Sequence, residues 1–183
     1  MNSLRRLLGN TGISLFGQVV TWVSTLAVVA AYGRFLASTQ FGELYFAIIF
    51  VALIGFPVEF GFNQQIVRDV AQRPEQARRY PANILILKLA LWSTLYGLSL
   101  LASVLLRFSA EERLLVALAG CTLLIGAIGS TFASIHTAVQ RQIFPAVGII
   151  IEKGLGAIIA VLWLRSGGGV MAAAIALLIG AAA

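Results

Sequence analysis

Four charged side chains stand within, or at the end of, long apolar stretches of this sequence: Glu59, Lys88, Glu152 and Lys153. A charged group in the hydrocarbon interior of a membrane costs several kcal/mol unless it is paired or hydrated. Such residues therefore mark either pathways for ions and polar substrates or ionic contacts between helices. Transport across a membrane is the chemistry that residues of this kind, in this setting, would serve.

Each of these charges has two interpretations. Lys88 either faces an aqueous cavity or extends its ammonium group to the inner membrane interface. Adjacent helical residues point about 100° apart, so Glu152 and Lys153 are not expected to pair well with each other. They need either water, in a cavity or ion-coupling role, or partners on other helices. Glu59 either pairs with a base such as Arg68 or couples transport to an ion.

Polar side chains recur at helical spacing on three of the apolar stretches. With 3.6 residues per turn, they fall on one side of each helix. A polar stripe that faced lipid would be costly, so each stripe is expected to face a partner helix or an aqueous cavity. The first stripe comprises Asn10, Ser14, Gln18, Thr21, Thr25 and Tyr32, the second Lys88, Trp92, Tyr96, Ser99 and Ser103, and the third Ser130, Ser134, Thr137 and Arg141.

The elements that carry these residues are six apolar stretches in a chain that is 60% hydrophobic, with a mean hydropathy of +0.95. They predict an all-α membrane protein, a polytopic helical bundle of about six transmembrane helices in one domain, residues 1–183. A β-barrel would instead show strands of about ten residues with alternating hydrophobicity. A membrane-spanning helix needs about 20 residues, so the short sixth stretch predicts a chain truncated within it. The predicted spans are 13–32, 41–60, 82–106, 114–138, 143–164 and 170–183.

The longest connection, residues 61–81, mixes apolar and polar residues in a pattern that predicts a short amphipathic helix at the headgroup level. It also contains most of the basic residues on one side of the predicted bundle. It serves either as a topology signal and anchor to anionic membrane lipids or as a direct substrate contact. Basic residues favour the cytoplasmic side, which predicts a cytoplasmic N-terminus. The predicted inner side has Arg5, Arg6, Arg68, Arg73, Arg78, Arg79 and Arg141, and the outer side has Arg34, Arg107, Arg113 and Arg165.

Composition argues against several other classes of protein. The net charge of +6 fits basic membrane loops, and no soluble basic surface is predicted that would bind nucleic acid. Cys121 is the single cysteine and is expected to be a small packing residue. No catalytic residues, cofactor site or metal site is predicted. Glu111 and Glu112 are too few for the carboxylate-rich loop of a membrane-embedded glycosyltransferase, so the chain is not expected to be an enzyme.

Four features of the first ninety residues resemble the Wzx-type polysaccharide flippases, the polysaccharide-transport branch of the multidrug/oligosaccharidyl-lipid/polysaccharide exporter superfamily. The first is Asn10 followed by Gly17-Gln18, and the second is Lys88. The third is segment 33–43, GRFLASTQFGE, which is similar to an R-x-L-x-x-x-x-F-G turn. The fourth is segment 59–63, EFGFN, followed by Arg68. The family usually has aspartate at the position of Glu59 and Gly-Pro at that of residues 37–38.

The resemblance covers the N-terminal half of such a protein. It implies 12 to 14 helices in two six-helix lobes, which move undecaprenyl-pyrophosphate-linked oligosaccharide across the bacterial cytoplasmic membrane by alternating access. A missing C-terminal lobe or a second copy would complete the cavity, and the polysaccharide polymerase machinery is a further possible partner. Cationic side chains would attract the pyrophosphate, and Lys88, Arg34, Arg141 and Lys153 are the candidates.

The candidate residues thus form two groups. The substrate-cavity candidates are Asn10, Ser14, Gln18, Thr21, Thr25, Arg34, Lys88, Arg141 and Lys153, and the ion-coupling candidates are Glu59 and Glu152. Two other functions stay open: a multidrug or toxin antiporter of the same superfamily, which would need acidic coupling residues, and a non-transporting membrane scaffold for polysaccharide assembly.

Overall fold

The computed structural model describes residues 2–73, 75 and 79–183, with side chains from residue 12 onward. Pro74, Arg78 and the side chains of Arg5, Arg6 and Asn10 lie outside the described residues. Within these ranges the chain is helical and has no β-strand. The helices are α1 (Asn2–Phe35), α2 (Ser38–Glu59), α3 (Phe62–Gln72), α4 (Arg79–Leu105), α5 (Ala110–Ala138), α6 (Ile143–Arg165) and α7 (Gly169–Ala182).

Five helical stretches are long and apolar enough to cross a membrane. They comprise α1 from Gly12, α2 continued by α3, α4, α5 and α6. The predicted fold class, an all-α membrane bundle, is confirmed. The apolar helix α7 has 14 residues, or about 21 Å at 1.5 Å per residue, which is shorter than the roughly 30 Å hydrocarbon core of a bilayer.

Helix α5 lies at the centre of the bundle, where it packs against α2, α3, α4 and α7. Helix α1 packs mainly on α6, and α6 packs on α7. The main apolar core lies at the end of the bundle where α1 leads into α2 and α6 leads into α7; it includes Leu36, Leu44, Leu115, Leu164 and Val170. This placement packs the helices together at that end of the bundle.

Helix α3 lies in the connection where a short amphipathic helix is predicted. It follows Gly61, whose φ of +74° is a left-handed conformation that glycine adopts readily. Its apolar side chains Ile66 and Val70 are fully buried against Ile84, with Ile135 packed on the same cluster. The apolar face of α3 thus covers α4 and α5. Ile66 and Val70 therefore pack on the bundle itself, which offers an apolar surface to this short helix.

The glycines flanking Glu152 predict a close approach of another backbone. The approach forms at Gly156, which packs against Gly180 of α7: a Cβ atom built on Gly180 would lie 2.8 Å from both the Gly156 Cα and the Glu152 carbonyl oxygen. It does not form at Gly148, where a Cβ would meet no atom within 4 Å. The α6–α7 contact therefore fixes the backbone next to Glu152.

Candidate functional site

The polar stripe on α4 faces α5. The Trp92 indole donates to the Gly120 carbonyl oxygen at 2.9 Å, and the Tyr96 hydroxyl donates to the Ala117 carbonyl oxygen at 3.2 Å. Ser99 and Ser103 are buried and donate to carbonyl groups of their own helix. Of the two interpretations, a partner helix or an aqueous cavity, the partner helix is correct for this part of the stripe.

Lys88, on the same stripe, is 1% exposed and is surrounded by oxygen atoms. Its Nζ lies 3.2 Å from Glu59 Oε1, 2.9 Å from Asn63 Oδ1, and 3.4 Å from both the Ala127 carbonyl oxygen and Ser130 Oγ. The Asn63 amide also donates to Glu59 Oε2 at 2.6 Å. We call Lys88, Glu59, Asn63 and Ser130 the Lys88 network.

The Lys88 network joins the end of α2, the start of α3, α4 and α5. Glu59 is 36% exposed, so the network extends from a buried ammonium to a partly accessible carboxylate. Glu59 pairs with Lys88. The sequence instead suggests a base such as Arg68 as its partner. Neither interpretation of Lys88 describes its position: the ammonium group meets protein oxygens instead of a cavity or the membrane interface. A direct contact between Lys88 and a substrate would require this network to open.

Two further residues of the third polar stripe line an open cleft of about 400 Å³ between α3 and α5. Ser134 and Thr137 lie there with Asn63, Gln64 and Arg68. Both hydroxyls donate to carbonyl groups one turn earlier on α5. Their side-chain oxygens keep acceptor capacity toward the cleft, which therefore combines hydroxyl, amide and guanidinium groups.

Glu152 and Lys153 bond to each other. Lys153 Nζ lies 2.7 Å from Glu152 Oε1, so the expectation that these neighbours would not pair is wrong. The lysine has a long, flexible stem with a compact ammonium head, and it bends across the angle between the two positions. The Lys153 side chain is 43% exposed and the Glu152 side chain is 36% exposed, so this ion pair is accessible midway along an apolar helix.

The ion pair lines a cavity of about 260 Å³ between α1, α2, α6 and α7, which we call the α1/α6 cavity. Its polar side chains come from three helices, and apolar residues such as Val28, Ile48 and Leu177 complete the wall. The polar lining residues are Ser24, Thr25, Tyr32, Tyr45, Glu152 and Lys153. A cavity with charged and hydroxyl groups inside a membrane bundle is the arrangement expected of a transport site.

Tyr32 is a buried residue in the wall of this cavity. Its hydroxyl is the one buried side-chain polar atom without a hydrogen-bond partner in the part of the chain that the structure describes. Sequence reasoning placed Tyr32 at the end of the first polar stripe but not among the candidate site residues. The available signal was that it continues the stripe of Thr21 and Thr25.

Glu152 also lines a second space, a cleft of about 560 Å³ between α5 and α6. Ser130 of the Lys88 network and His136 lie on its α5 wall. The His136 ring stacks on Phe144 with a centroid distance of 4.7 Å. The cleft therefore brings together an oxygen of the Lys88 network, an imidazole and the carboxylate of the ion pair.

The other substrate-cavity candidates are dispersed. On α1, Ser14 and Gln18 are exposed, whereas the Thr21 hydroxyl donates to the Gly17 carbonyl oxygen. Gly17 packs against Ala146 near the start of α6. About 25 Å of helix α1 separates Gly17 from Arg34. Arg34 and Arg141 thus lie at opposite ends of the α1–α6 pair. Both side chains are exposed, and the structure does not bring them together.

Two other groups have structural roles. Glu112 and Ser109 form a capping box at the start of α5: the Ser109 backbone N–H donates to the Glu112 carboxylate at 2.6 Å, and the Glu112 N–H donates to Ser109 Oγ at 3.1 Å. Cys121 lies 3.9 Å from the Tyr96 hydroxyl at the α4–α5 contact. Among the described residues, no group of three or more His, Cys, Asp or Glu side chains is placed to hold a metal ion.

Comparison with known proteins gives one family match. The model of a family described as "Polysaccharide biosynthesis protein" matches residues 7–183. No curated protein and no solved structure matches the chain. The matched range contains every residue that lines the α1/α6 cavity and every residue of the Lys88 network.

Proposed function

This chain belongs to the polysaccharide biosynthesis protein family, and we propose that it moves lipid-linked oligosaccharide across a membrane as part of a Wzx-type flippase. The observation that carries the proposal is the α1/α6 cavity, in which the Glu152–Lys153 ion pair is accessible midway along a spanning helix. Oligosaccharides are rich in hydroxyl groups, so they need hydrogen-bonding partners in place of water while they cross the apolar layer.

Two exposed polar residues of α1 support a bipartite transporter. Ser14 and Gln18 are exposed, and contact of these side chains with lipid would be costly. A second lobe, supplied by a C-terminal half or by a second copy of the chain, would cover them and enclose a central pathway. Transporters of this kind work by rocking one repeat against the other around a site near the middle of the membrane.

The charges suit a pyrophosphate-linked substrate carried on undecaprenol. Arg141 and Arg34 lie at opposite ends of the α1–α6 pair, so they would meet the pyrophosphate at different stages of transport. Lys153 lies between these ends, while Lys88 would contribute only after its network opens. The proposal places the protein in the bacterial cytoplasmic membrane with the N-terminus in the cytoplasm, because most basic residues then lie on the inner side. It assigns no catalytic step, and it leaves the polymerase machinery as a possible partner.

The alternative proposal is a multidrug or toxin antiporter, in which Glu59 or Glu152 couples transport to an ion. Glu152 favours it because this carboxylate lines both the α1/α6 cavity and the α5/α6 cleft. Against it stands the ammonium group of Lys153, 2.7 Å from the same carboxylate. A coupling cation would have to compete with this attached positive charge, so we rank the flippase first. A non-transporting scaffold would leave the accessible intramembrane charges without a role.

Reconstitution tests the proposal. Proteoliposomes would contain the protein and a lipid-linked oligosaccharide, and a glycan-cleaving enzyme added outside would report which oligosaccharides reach the outer leaflet. The flippase proposal expects the cleaved fraction to rise above the level in protein-free liposomes. Cleavage equal to that level, with the second lobe also present in the proteoliposomes, would contradict it. Ion-dependent uptake of a hydrophobic cationic dye by the same proteoliposomes would favour the antiporter.

A further inference from the structure

We propose that the cleft between α3 and α5 binds the head group of a membrane phospholipid, namely a phosphodiester with one negative charge and free hydroxyl groups, as in phosphatidylglycerol. The cleft is separate from the α1/α6 cavity, so this inference goes beyond the proposed transport function and does not depend on the transported substrate. Three observations support it: an accessible guanidinium group, a lining that has both donors and acceptors, and the position of the cleft along α5.

The first observation is the Arg68 guanidinium group. Arg68 is exposed and lines the cleft, and neither of the two ion pairs found among the described residues includes it. Two neighbouring carboxylates are engaged elsewhere: Asp69 accepts a hydrogen bond from Tyr80, and Glu59 holds Lys88. A guanidinium group is planar and always charged, and it can bond two oxygens of one phosphate. Arg68 is thus available to an anionic partner.

The second observation is the hydrogen-bonding character of the lining. Gln64 is exposed, and Asn63 uses one of its two amide N–H groups on Glu59, so both amides have N–H groups for phosphate oxygens. Thr137 is half-buried, and its hydroxyl gives its proton to the Ala133 carbonyl oxygen. Toward the cleft it therefore acts as an acceptor, which suits a hydroxyl group and not a phosphate oxygen. The lining matches a phosphodiester that also carries donors.

The charge of the lining distinguishes between lipid phosphates. Among the described residues that line the cleft, Arg68 alone is charged, so the cleft offers one positive charge. A phosphodiester has one negative charge, whereas the pyrophosphate of a carrier lipid has more than one. A head group with an ammonium group would bring a second positive charge close to Arg68, and like charges repel. A hydroxylated phosphodiester meets both conditions.

The third observation is the position of the cleft along α5. This helix has 29 residues, or about 43 Å at 1.5 Å per residue, whereas the hydrocarbon core of a bilayer is roughly 30 Å thick. Its terminal turns therefore lie in the headgroup layers, and Thr137 stands one residue before its end. On α3, Ile66 and Val70 are buried against the bundle, and Arg68 lies on the opposite side of that helix. The cleft thus opens where lipid head groups are found.

The test measures lipid binding to the purified, delipidated protein in neutral detergent by native mass spectrometry. The probes are phosphatidylglycerol, phosphatidylethanolamine, undecaprenyl pyrophosphate and phosphatidylmethanol, which has the same phosphodiester but no hydroxyl group. We expect Arg68→Gln to weaken binding of phosphatidylglycerol about threefold to tenfold, as for the loss of one charge-assisted contact that solvent partly screens. Arg73→Gln is the matched control. Arg73 caps the same helix and is exposed but does not line the cleft, so its loss should leave binding unchanged.

A second variant, Thr137→Val, removes the acceptor hydroxyl at nearly constant volume. It should reduce the preference for phosphatidylglycerol over phosphatidylmethanol about twofold to fivefold, and an unchanged preference would overturn the role of the hydroxyl. Equal weakening by Arg68→Gln and Arg73→Gln, or weakening by neither, would overturn the cleft as the site. Tighter, Arg68-dependent binding of phosphatidylethanolamine or undecaprenyl pyrophosphate would overturn the choice of lipid. The flippase proposal stands or falls separately, by reconstitution.

Discussion

Lys88 and Glu59, 29 positions apart in the chain, form an ion pair with an Nζ–Oε1 distance of 3.2 Å. The pair joins the end of α2 to the first third of α4. Because Asn63 and Ser130 bond to the same two groups, it also holds the start of α3 and the central helix α5. One buried ammonium group thereby fixes four helices at the end of the bundle opposite the main apolar core.

Removing one partner of this pair should destabilise the protein more than removing both. Lys88→Met leaves the Glu59 carboxylate facing polar groups without its cation, and such losses cost about 3–5 kcal/mol when both partners are buried. Glu59 is partly exposed, so solvent lowers the expected cost to about 1–3 kcal/mol. Thermal unfolding in nanodiscs would measure it.

The matched variants are Glu59→Gln and the double variant Lys88→Met/Glu59→Gln. The double variant should recover part of the melting temperature lost by Lys88→Met, because no unpaired charge remains. If the double variant loses as much stability as the two single variants together, the two residues are not energetically coupled.

The α6–α7 contact should not tolerate a methyl group at Gly180. A Cβ there would lie 2.8 Å from two backbone atoms of α6, which cannot move as a flexible side chain would. Overpacking of this kind typically costs about 1–3 kcal/mol, so Gly180→Ala should lower the melting temperature. Gly154→Ala is the control, since a Cβ at Gly154 meets nothing within 4 Å. Equal melting temperatures for the two variants would contradict the close approach.

Water should reach the α1/α6 cavity but not the α4–α5 contact. In a Cys121→Ser background, a cysteine at Thr25, which lines the cavity, is expected to react with a membrane-impermeant maleimide. A cysteine at the buried Ser103 should react far more slowly. Labelling yields on intact cells and on unfolded protein would give the comparison. An unreactive Thr25→Cys in folded protein would mean that lipid or protein, not water, fills the cavity.

Lys153 should be needed for its positive charge. Lys153→Gln removes the ammonium group and leaves the Glu152 carboxylate unpaired, so we expect export to fall about tenfold or more at unchanged abundance. Lys153→Arg keeps the charge and should retain most export. Export assays with immunoblots would compare the two. A loss of protein level in Lys153→Gln, matching the loss of export, would indicate a role in folding instead.

The second polar stripe shows how far sequence reasoning reaches. Helical spacing placed Lys88, Trp92, Tyr96 and two serines on one face and predicted that this face avoids lipid, which the structure confirms. It did not distinguish a partner helix from a cavity. The difference lies in α5, where Gly120 leaves room for the Tyr96 ring and exposes carbonyl groups to both aromatic side chains.

The sequence by itself determined that this is an all-α membrane protein with polar stripes and four charges within or bordering its apolar stretches, because hydrophobicity and helical period are local properties of the chain. Only the tertiary structure decided which groups meet. Lys88 lies against residues of α2, α3 and α5, Lys153 bends back to Glu152, and Tyr32 reaches a cavity walled by three other helices. These contacts depend on how helices far apart in sequence pack together, and no spacing along one helix specifies them.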